Sequence, residues 1–262
     1  MATDNAPYYL VGVLKKAIEI IETISERKEL TIADLVDILG QDRNAVNRIV
    51  LTLQHLGYLC RLENRKYTLT LKMFQIGSSA LDQNQIIRTV KSYMKELSDC
   101  FGQTVCLGQS NEKSVVTVDL LNGTLPINFS ARVGDAAPIQ TTSMGKSILA
   151  AMPDDKLDQL LKTLKFTKYT DNSILNATDL KKDIEKIRRR GFAEDAEEWA
   201  RGVHCLGIPI YGPNGVCMWG MSVSGPASSF TPGQIKAISV KLLEVKASLA
   251  REMGLDEKGL PF

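Results

Sequence analysis

An α+β chain in two parts is predicted from three observations. Up to about Tyr58, apolar residues recur at helical spacing; beyond Gln103 they fall into short β-rich runs separated by turn signals. Helices in that second part are grouped between the runs rather than alternating with each strand, the arrangement of an antiparallel sheet. A chain of 262 residues with 44% hydrophobic content is long enough to build both cores.

The first helix is predicted at "VLKKAIEIIETISER", with Leu14, Ala17, Ile18, Ile21 and Ile24 on one stripe. The second, "TIADLVDILG", opens on Thr31 with Asp34 three residues on, a capping-box start, and stops at Gly40. Its core face is Ile32, Leu35, Val36 and Leu39. After the short turn "GQD" comes "RNAVNRIVLTLQHLGY", capped by Asp42 and ended by Gly57, with Val46, Ile49, Val50, Leu53 and Leu56 as its apolar side. Asn44, Asn47 and Arg48 project from the other side, with Arg43 on the flank. Amides and guanidinium make bidentate contacts with adenine and guanine edges. An ordinary solvated helix face remains compatible with the same residues.

Two short helices joined this tightly, the second exposing Arg and Asn at its start, match a helix-turn-helix. "YLCRLENRKYTLT" then supplies two short strands around a polar turn, the wing of a winged helix. Net charge is only +2, yet Arg43, Arg48, Arg61, Arg65, Lys66 and Lys72 stand against Asp42 and Glu63 in this region. The expected DNA-contacting set is Arg43, Asn44, Ala45, Asn47, Arg48, Arg65 and Lys66.

The stretch "LTIADLVDILGQDRNAVNRIVLTLQHLGYLCRLENRKYTLT" resembles the winged-helix domain of IclR-family transcriptional regulators. The similarity continues through "GDAAPIQTTSMGKSILAAM", "RRRGFAEDAEEWARGVHCLGIPIYGPNGVCMWGMSVSGP" and "FTPGQIKAISVKLLEVKASLAREMG", from about Leu10 to Gly254. Asn44 and Ala45 stand where the family often has a Ser-Thr pair; loss of those hydroxyls leaves the operator sequence open. The resemblance implies a winged helix-turn-helix at 8–70, a linker helix at 71–82 and a GAF-like effector-binding and oligomerisation domain at 83–255.

"LKMFQIGSSALDQNQ" reads as a short helix running into a polar joint. "IIRTVKSYMKELSDCFG" then shows helix spacing at Ile86, Ile87, Val90, Tyr93, Met94 and Leu97. Strands are expected at "TVCLGQS", "SVVTVDLL" and "PINFSARVG". Helices come next at "TTSMGKSILAAM", "DDKLDQLLKTL" and "TDLKKDIEKIRRRG". "GVHCLGIPIYG" and "GVCMWGMSVSG" form a hairpin about "PNG", and a long helix closes the chain.

"SMGKS" lacks the earlier glycine of a phosphate loop, Gln140 standing there, so nucleotide hydrolysis is not expected; as a helix start it suits an anion. Glu194, Asp195, Glu197 and Glu198 lie near His204 and Cys205, but their spacing matches no metal motif. His204 and Cys205 are strand neighbours facing opposite ways, so they form no nucleophilic dyad. Neither cofactor, metal nor catalytic residue is expected.

The strand period puts Val203 and Cys205 on one face, and Ser222 and Ser224 on one face. The resemblance implies that Ser143, Met144, Asp195, Val203, Cys205, Ser222 and Ser224 line a small-molecule cavity suited to a hydroxy or sugar acid. The two serines could equally finish a strand.

The five cysteines are odd in number and scattered, no apolar run is long enough to span a membrane, and no secretory signal opens the chain. The expected protein is a cytoplasmic regulator of a catabolic operon that binds palindromic operator DNA as a homodimer or dimer of dimers. The rival readings are a GAF-like enzyme fused to a DNA-binding module, and a thiol redox sensor using Cys100 with Cys106 or Cys205 with Cys217.

Overall fold

The structure, a computed structural model, describes residues 9–82, 85–212 and 215–256. It divides into two compact units, 1–83 and 84–262.

In the first unit, α1 (Gly12–Arg27), α2 (Ile32–Leu39) and α3 (Arg43–His55) pack around Ile20, Ile24, Leu35, Val46, Val50 and Leu53. The capping box of α2 is present: Asp34 N–H donates to Thr31 Oγ1 at 3.1 Å, and Thr31 N–H donates to Asp34 Oδ2 at 2.8 Å. Gly40 closes α2 in the left-handed region, and Asp42 caps α3 by accepting from Ala45 N–H.

The stripe expected on α1 is rotated. Ile20, outside the expected set, is fully buried with Ile24, whereas Leu14 and Ile18 are 64% and 52% exposed. With Ile20 in and Leu14 and Ile18 out, the stripe's centre moves by roughly an eighth of a turn, which leaves Ile18 off the core side. Leu56, expected in the core, comes after the last turn of α3 and is half exposed.

The wing pairs β1 (Leu59–Arg61) with β2 (Tyr67–Leu69), antiparallel, with Arg61 opposite Tyr67. Leu30 bridges Tyr67 from the other side, exchanging two backbone hydrogen bonds, so the wing is tied to the loop between α1 and α2. α4 (Leu71–Asp82) comes after the wing.

The second unit is built on a six-stranded antiparallel sheet. Its strands are β3 (Thr104–Asn111), β4 (Ser114–Leu121), β5 (Ala136–Pro138), β6 (Ala193–Ala196), β7 (Val203–Tyr211) and β8 (Cys217–Pro226), in the order β5-β4-β3-β8-β7-β6. α5 (Gln85–Phe101) and α9 (Pro232–Glu252) pack on the sheet. α6 (Ser143–Ala151), α7 (Asp154–Leu161) and α8 (Ala177–Arg190) form a second apolar layer with Ile148, Leu149, Leu157, Leu180 and Ile184.

Two strand expectations are corrected. Residues 126–134 form a mostly exposed loop despite their β-type composition. It is held by Thr104 Oγ1–H donating to Phe129 O at 2.7 Å, and the edge beside β4 is taken by β5 instead. β6 was not expected, because "AEDA" carries no β-branched or aromatic residue; its pairing with β7 outweighs weak local propensity. Of the turn expected at "PNG", Pro213 and Asn214 lie outside the described residues, while the strands on either side pair as expected. No helix among the described residues is long and apolar enough to cross a membrane.

Candidate functional site

Two surfaces carry the residues singled out from the sequence. On the first unit, Arg43, Asn44 and Arg48 are exposed along α3, while Ala45 and Asn47 are half-buried. Ala45 lies against the N-terminal half of α1, lining a groove with Val13, Leu14 and Ala17, a groove that the exposed Arg48 also borders.

The basic residues of this region divide by their partners. Lys66 Nζ donates to Glu29 Oε1 at 2.9 Å, and that carboxylate holds the ammonium in its charged form. Lys72 Nζ donates to Leu56 O at 2.7 Å and lies over the Tyr58 ring, so it caps the end of α3. Arg43, Arg48, Arg61 and Arg65 have no ion-pair partner among the described residues. Arg65 sits in the wing turn at φ +65°, a left-handed conformation uncommon for a side-chain-bearing residue.

On the second unit, strand alternation and helix position converge on one cavity of ≈ 240 Å³. Val203 and Cys205 face it from β7, Ser222 and Ser224 from β8, Asp195 from β6. Ser143 and Met144, the first residues of α6, close it from above the sheet. All seven expected residues therefore meet in one place. Their register explains how: Asp195 pairs with Cys205, Cys205 with Ser224, and Ser222 with Cys106 of β3.

Glycine lets the helix start come so close. A Cβ at Gly207 would fall 2.7 Å from the Ser143 carbonyl carbon, and one at Gly220 would fall 2.9 Å from Met144 O. Within α6, a Cβ at Gly145 would fall 2.0 Å from Ile139 O.

The polar groups are mostly committed. Thr142 caps α6 by accepting from Gly145 N–H at 3.0 Å. Asp195 Oδ1 accepts from Glu198 N–H at 2.7 Å, and burial, only partly offset by its hydrogen bonds and by Lys146, lifts its carboxyl to about 6. Ser222 and Ser224 bond to each other at 3.1 Å. Thr117, Phe129 and Trp199 also line the cavity and were not singled out from the sequence; Cys106, considered there only for redox sensing, lines it as well. The alternation that identified Ser222 also applies to β3 and β4, but which strands adjoin β8 is not written in any one segment.

Lys146 of "SMGKS" turns away from any anion. It is 1% exposed, and its ammonium donates to Asp183 Oδ2 at 2.9 Å and to Glu198 Oε1. One cation faces two carboxylates, with Asp195 close by. Lys146 stays charged, while burial drives Glu198 up to about 7 against the pull of Lys146.

These shifts give stability a definite pH dependence. Glu198 binds its proton more tightly folded than unfolded, so its contribution makes stability fall from about pH 4.5 to about pH 7 and level off above. Asp195 adds a similar loss that ends near pH 6. Glu198→Gln is expected to gain stability relative to the parent as pH rises from 5 to 8, in urea melts at each pH. Parallel curves for the two proteins would refute this assignment.

The rival chemistries find no support in the geometry. His204 Nε2 is bonded to Glu194 Oε1 at 3.0 Å and its ring stacks on Phe230, on the face away from Cys205. No cluster of three His, Cys, Asp or Glu side chains among the described residues is placed to hold a metal ion. Burial pushes the thiols of Cys106 and Cys217 up to about 12 and that of Cys205 well above its ordinary value, so they remain protonated. Cys205 lies six residues along β7 from Tyr211, the partner of Cys217; that is about 20 Å, beyond disulfide reach. Cys100 is exposed on α5, whereas Cys106 is buried in the cavity wall.

Residues 13–63 match the IclR helix-turn-helix domain, and residues 78–251 match the bacterial transcriptional regulator IclR C-terminal domain. The HTH-type transcriptional regulator KdgR of Escherichia coli (strain K12) is 29% identical over 252 residues, covering 96% of this chain and 95% of that protein. The crystal structure of the Thermotoga maritima IclR aligns with a TM-score of 0.72 at 30% identity, covering 92% of this chain and 98% of that one. An IclR homolog complexed with 4-hydroxybenzoate, from Microbacterium hydrocarbonoxydans, aligns with a TM-score of 0.72 at 16% identity, over 88% of this chain and 97% of that one. At that identity the likeness is one of fold.

Proposed function

The chain belongs to the IclR family of bacterial transcriptional regulators, and we propose how its two units divide that work. The first unit reads operator DNA through Arg43, Asn44, Asn47 and Arg48 of α3, with Arg65 of the wing on the phosphate backbone. Lys66, tied to Glu29, contributes less than its position in the sequence suggests. The second unit senses a small hydroxy or sugar acid. One helix-turn-helix reads only a few base pairs, so two copies on a palindromic site are required, as a dimer or a pair of dimers.

The convergence of seven residues from three strands and one helix start on a single cavity carries this reading. Its volume, ≈ 240 Å³, is below the range for drug-sized ligands and fits a small metabolite. The helix start favours an anionic group, and Asp195 favours ligand hydroxyls.

Calorimetry with a panel of hydroxy and sugar acids, with and without operator, tests it. At least one acid should bind, and operator should change its affinity by the factor by which the acid changes operator affinity. Met144 packs toward Gly108 and walls the cavity, so Met144→Ala is expected to admit bulkier acids. A panel that binds with affinities unmoved by Met144→Ala would place the ligand elsewhere.

A further inference from the structure

The outward face of α3 carries an apolar side chain among its polar ones. The core side of the helix is Val46, Ile49, Val50 and Leu53, all buried. With successive residues turned by about 100°, the direction opposite their mean falls within about 30° of Asn44, Arg48, Leu51 and His55. All four are exposed, Leu51 at 47%. Resting on the assignment of this face to DNA, we propose that Leu51 is a base-reading residue that packs on the C5-methyl group of a thymine in the major groove.

An exposed leucine is ordinary in itself. Its position carries the inference. Leu51 is three residues from Arg48 and seven from Asn44, which sets it about 4.5 Å from one and about 10.5 Å from the other along the helix axis. The longer distance fits within the roughly 12 Å width of the major groove. A helix that lays Asn44 and Arg48 on base edges therefore lays Leu51 there too. His55, about 16.5 Å from Asn44 along the axis, lies beyond that width. Leu51 and Arg48 are neighbours at i and i+3, and a helical leucine leans toward the preceding turn, hence toward Arg48.

Base chemistry narrows what Leu51 can meet. Adenine, guanine and cytosine present only donors and acceptors at the major-groove edge, and leucine pairs with none of them; thymine adds a methyl group. Set against a purely polar edge, leucine would strip water from groups left unpaired, which is costly. Set against the methyl, the same burial is favourable, at about the transfer value of one methylene, or roughly 4-fold in affinity. Base pairs are spaced about 3.4 Å apart, so this thymine stands about one or two pairs from the guanine that suits Arg48.

The test uses the full chain to select a palindromic duplex from a randomised pool. Each thymine of the half-site is then replaced by deoxyuridine, which removes the methyl and keeps the base pairing. At one position, changed in both half-sites together, affinity should fall about 10- to 25-fold, the product of two losses of roughly 4-fold. Leu51→Gln, which keeps helix propensity and removes the apolar contact, should bind the thymine and deoxyuridine duplexes alike at that position. Leu51→Met, still apolar, should keep the difference. Random duplex should be bound equally by all three proteins, because Leu51 offers nothing to phosphate. Absence of a methyl-dependent loss at every thymine, or its persistence in Leu51→Gln, overturns the assignment. So does an equal loss on selected and random duplex in Leu51→Gln, which would make Leu51 a structural or self-association residue. Arg48→Ala with unchanged affinity for the selected duplex would overturn the reading face itself, and this inference with it.

Discussion

Lys146→Met is expected to destabilise the C-terminal unit by about 3–5 kcal/mol at pH 8, the cost of removing one member of a buried ion pair. For a unit of this size that is a fall of roughly 6 to 20 °C in melting temperature. Methionine has nearly the volume of the lysine stem, so lost packing is a minor part. What remains is Asp183 and Glu198 without their shared cation, in a site where Glu198 Oε2 is already buried without a hydrogen-bond partner. The damage reaches the cavity wall, because Glu198 N–H is what Asp195 Oδ1 accepts and Glu198 O is held by Ser173. Protonation offers partial relief. With the ammonium gone, Glu198 rises above its present value of about 7, so the loss should be clearly smaller at pH 5.5 than at pH 8. Lys146→Met/Glu198→Met should recover part of the stability, as replacement of a whole buried pair by apolar residues does. Urea melts at the two pH values measure all three proteins. A single-mutant loss under about 1 kcal/mol, or one independent of pH, would show that the cluster is not the coupled unit its geometry describes.

Much of this arrangement was legible where it is local. The capping box at Thr31 and Asp34, the cap at Asp42, the wing turn and the β7–β8 strands are written in adjacent residues, and the structure has them. The expectations that failed depended on neighbours distant in sequence. Ile20 and Ile18 are equally apolar, and only the packing of α2 and α3 decides which is buried. Residues 126–134 look like a strand until β5 takes the edge beside β4. Thr117 was missed as a cavity residue for the same reason: its place in the wall depends on β4 lying next to β3 and β3 next to β8. Lys146 shows the opposite case. Its setting in "SMGKS" suggests an anion site, and residues 37 and 52 positions away claim it instead.

The same sorting by partner governs the DNA-binding surface and sets its largest expected effect. Arg48→Ala should weaken operator binding by about 1–3 kcal/mol per half-site, the range of a bidentate base contact, and by about twice that where two copies bind together. Six basic residues lie between Asp42 and Lys72 inclusive, but Lys66 and Lys72 are engaged within the protein. Arg48 is exposed on the same helix side as Asn44, one turn on, and its guanidinium has no ion-pair partner to leave among the described residues. A base contact and a phosphate contact differ in what their loss does. Loss of Arg48 should narrow the gap between operator and random DNA with a smaller effect on random DNA itself. Loss of the Arg65 charge should weaken both alike and reduce the salt slope by about one. For Arg65 the informative substitution is glycine, since its φ of +65° would strain an alanine, and Arg65→Gly removes the charge while relieving the turn. Salt-titrated binding to operator and to random duplex separates the two roles. Operator affinity unchanged by Arg48→Ala would move the reading surface off this face of α3.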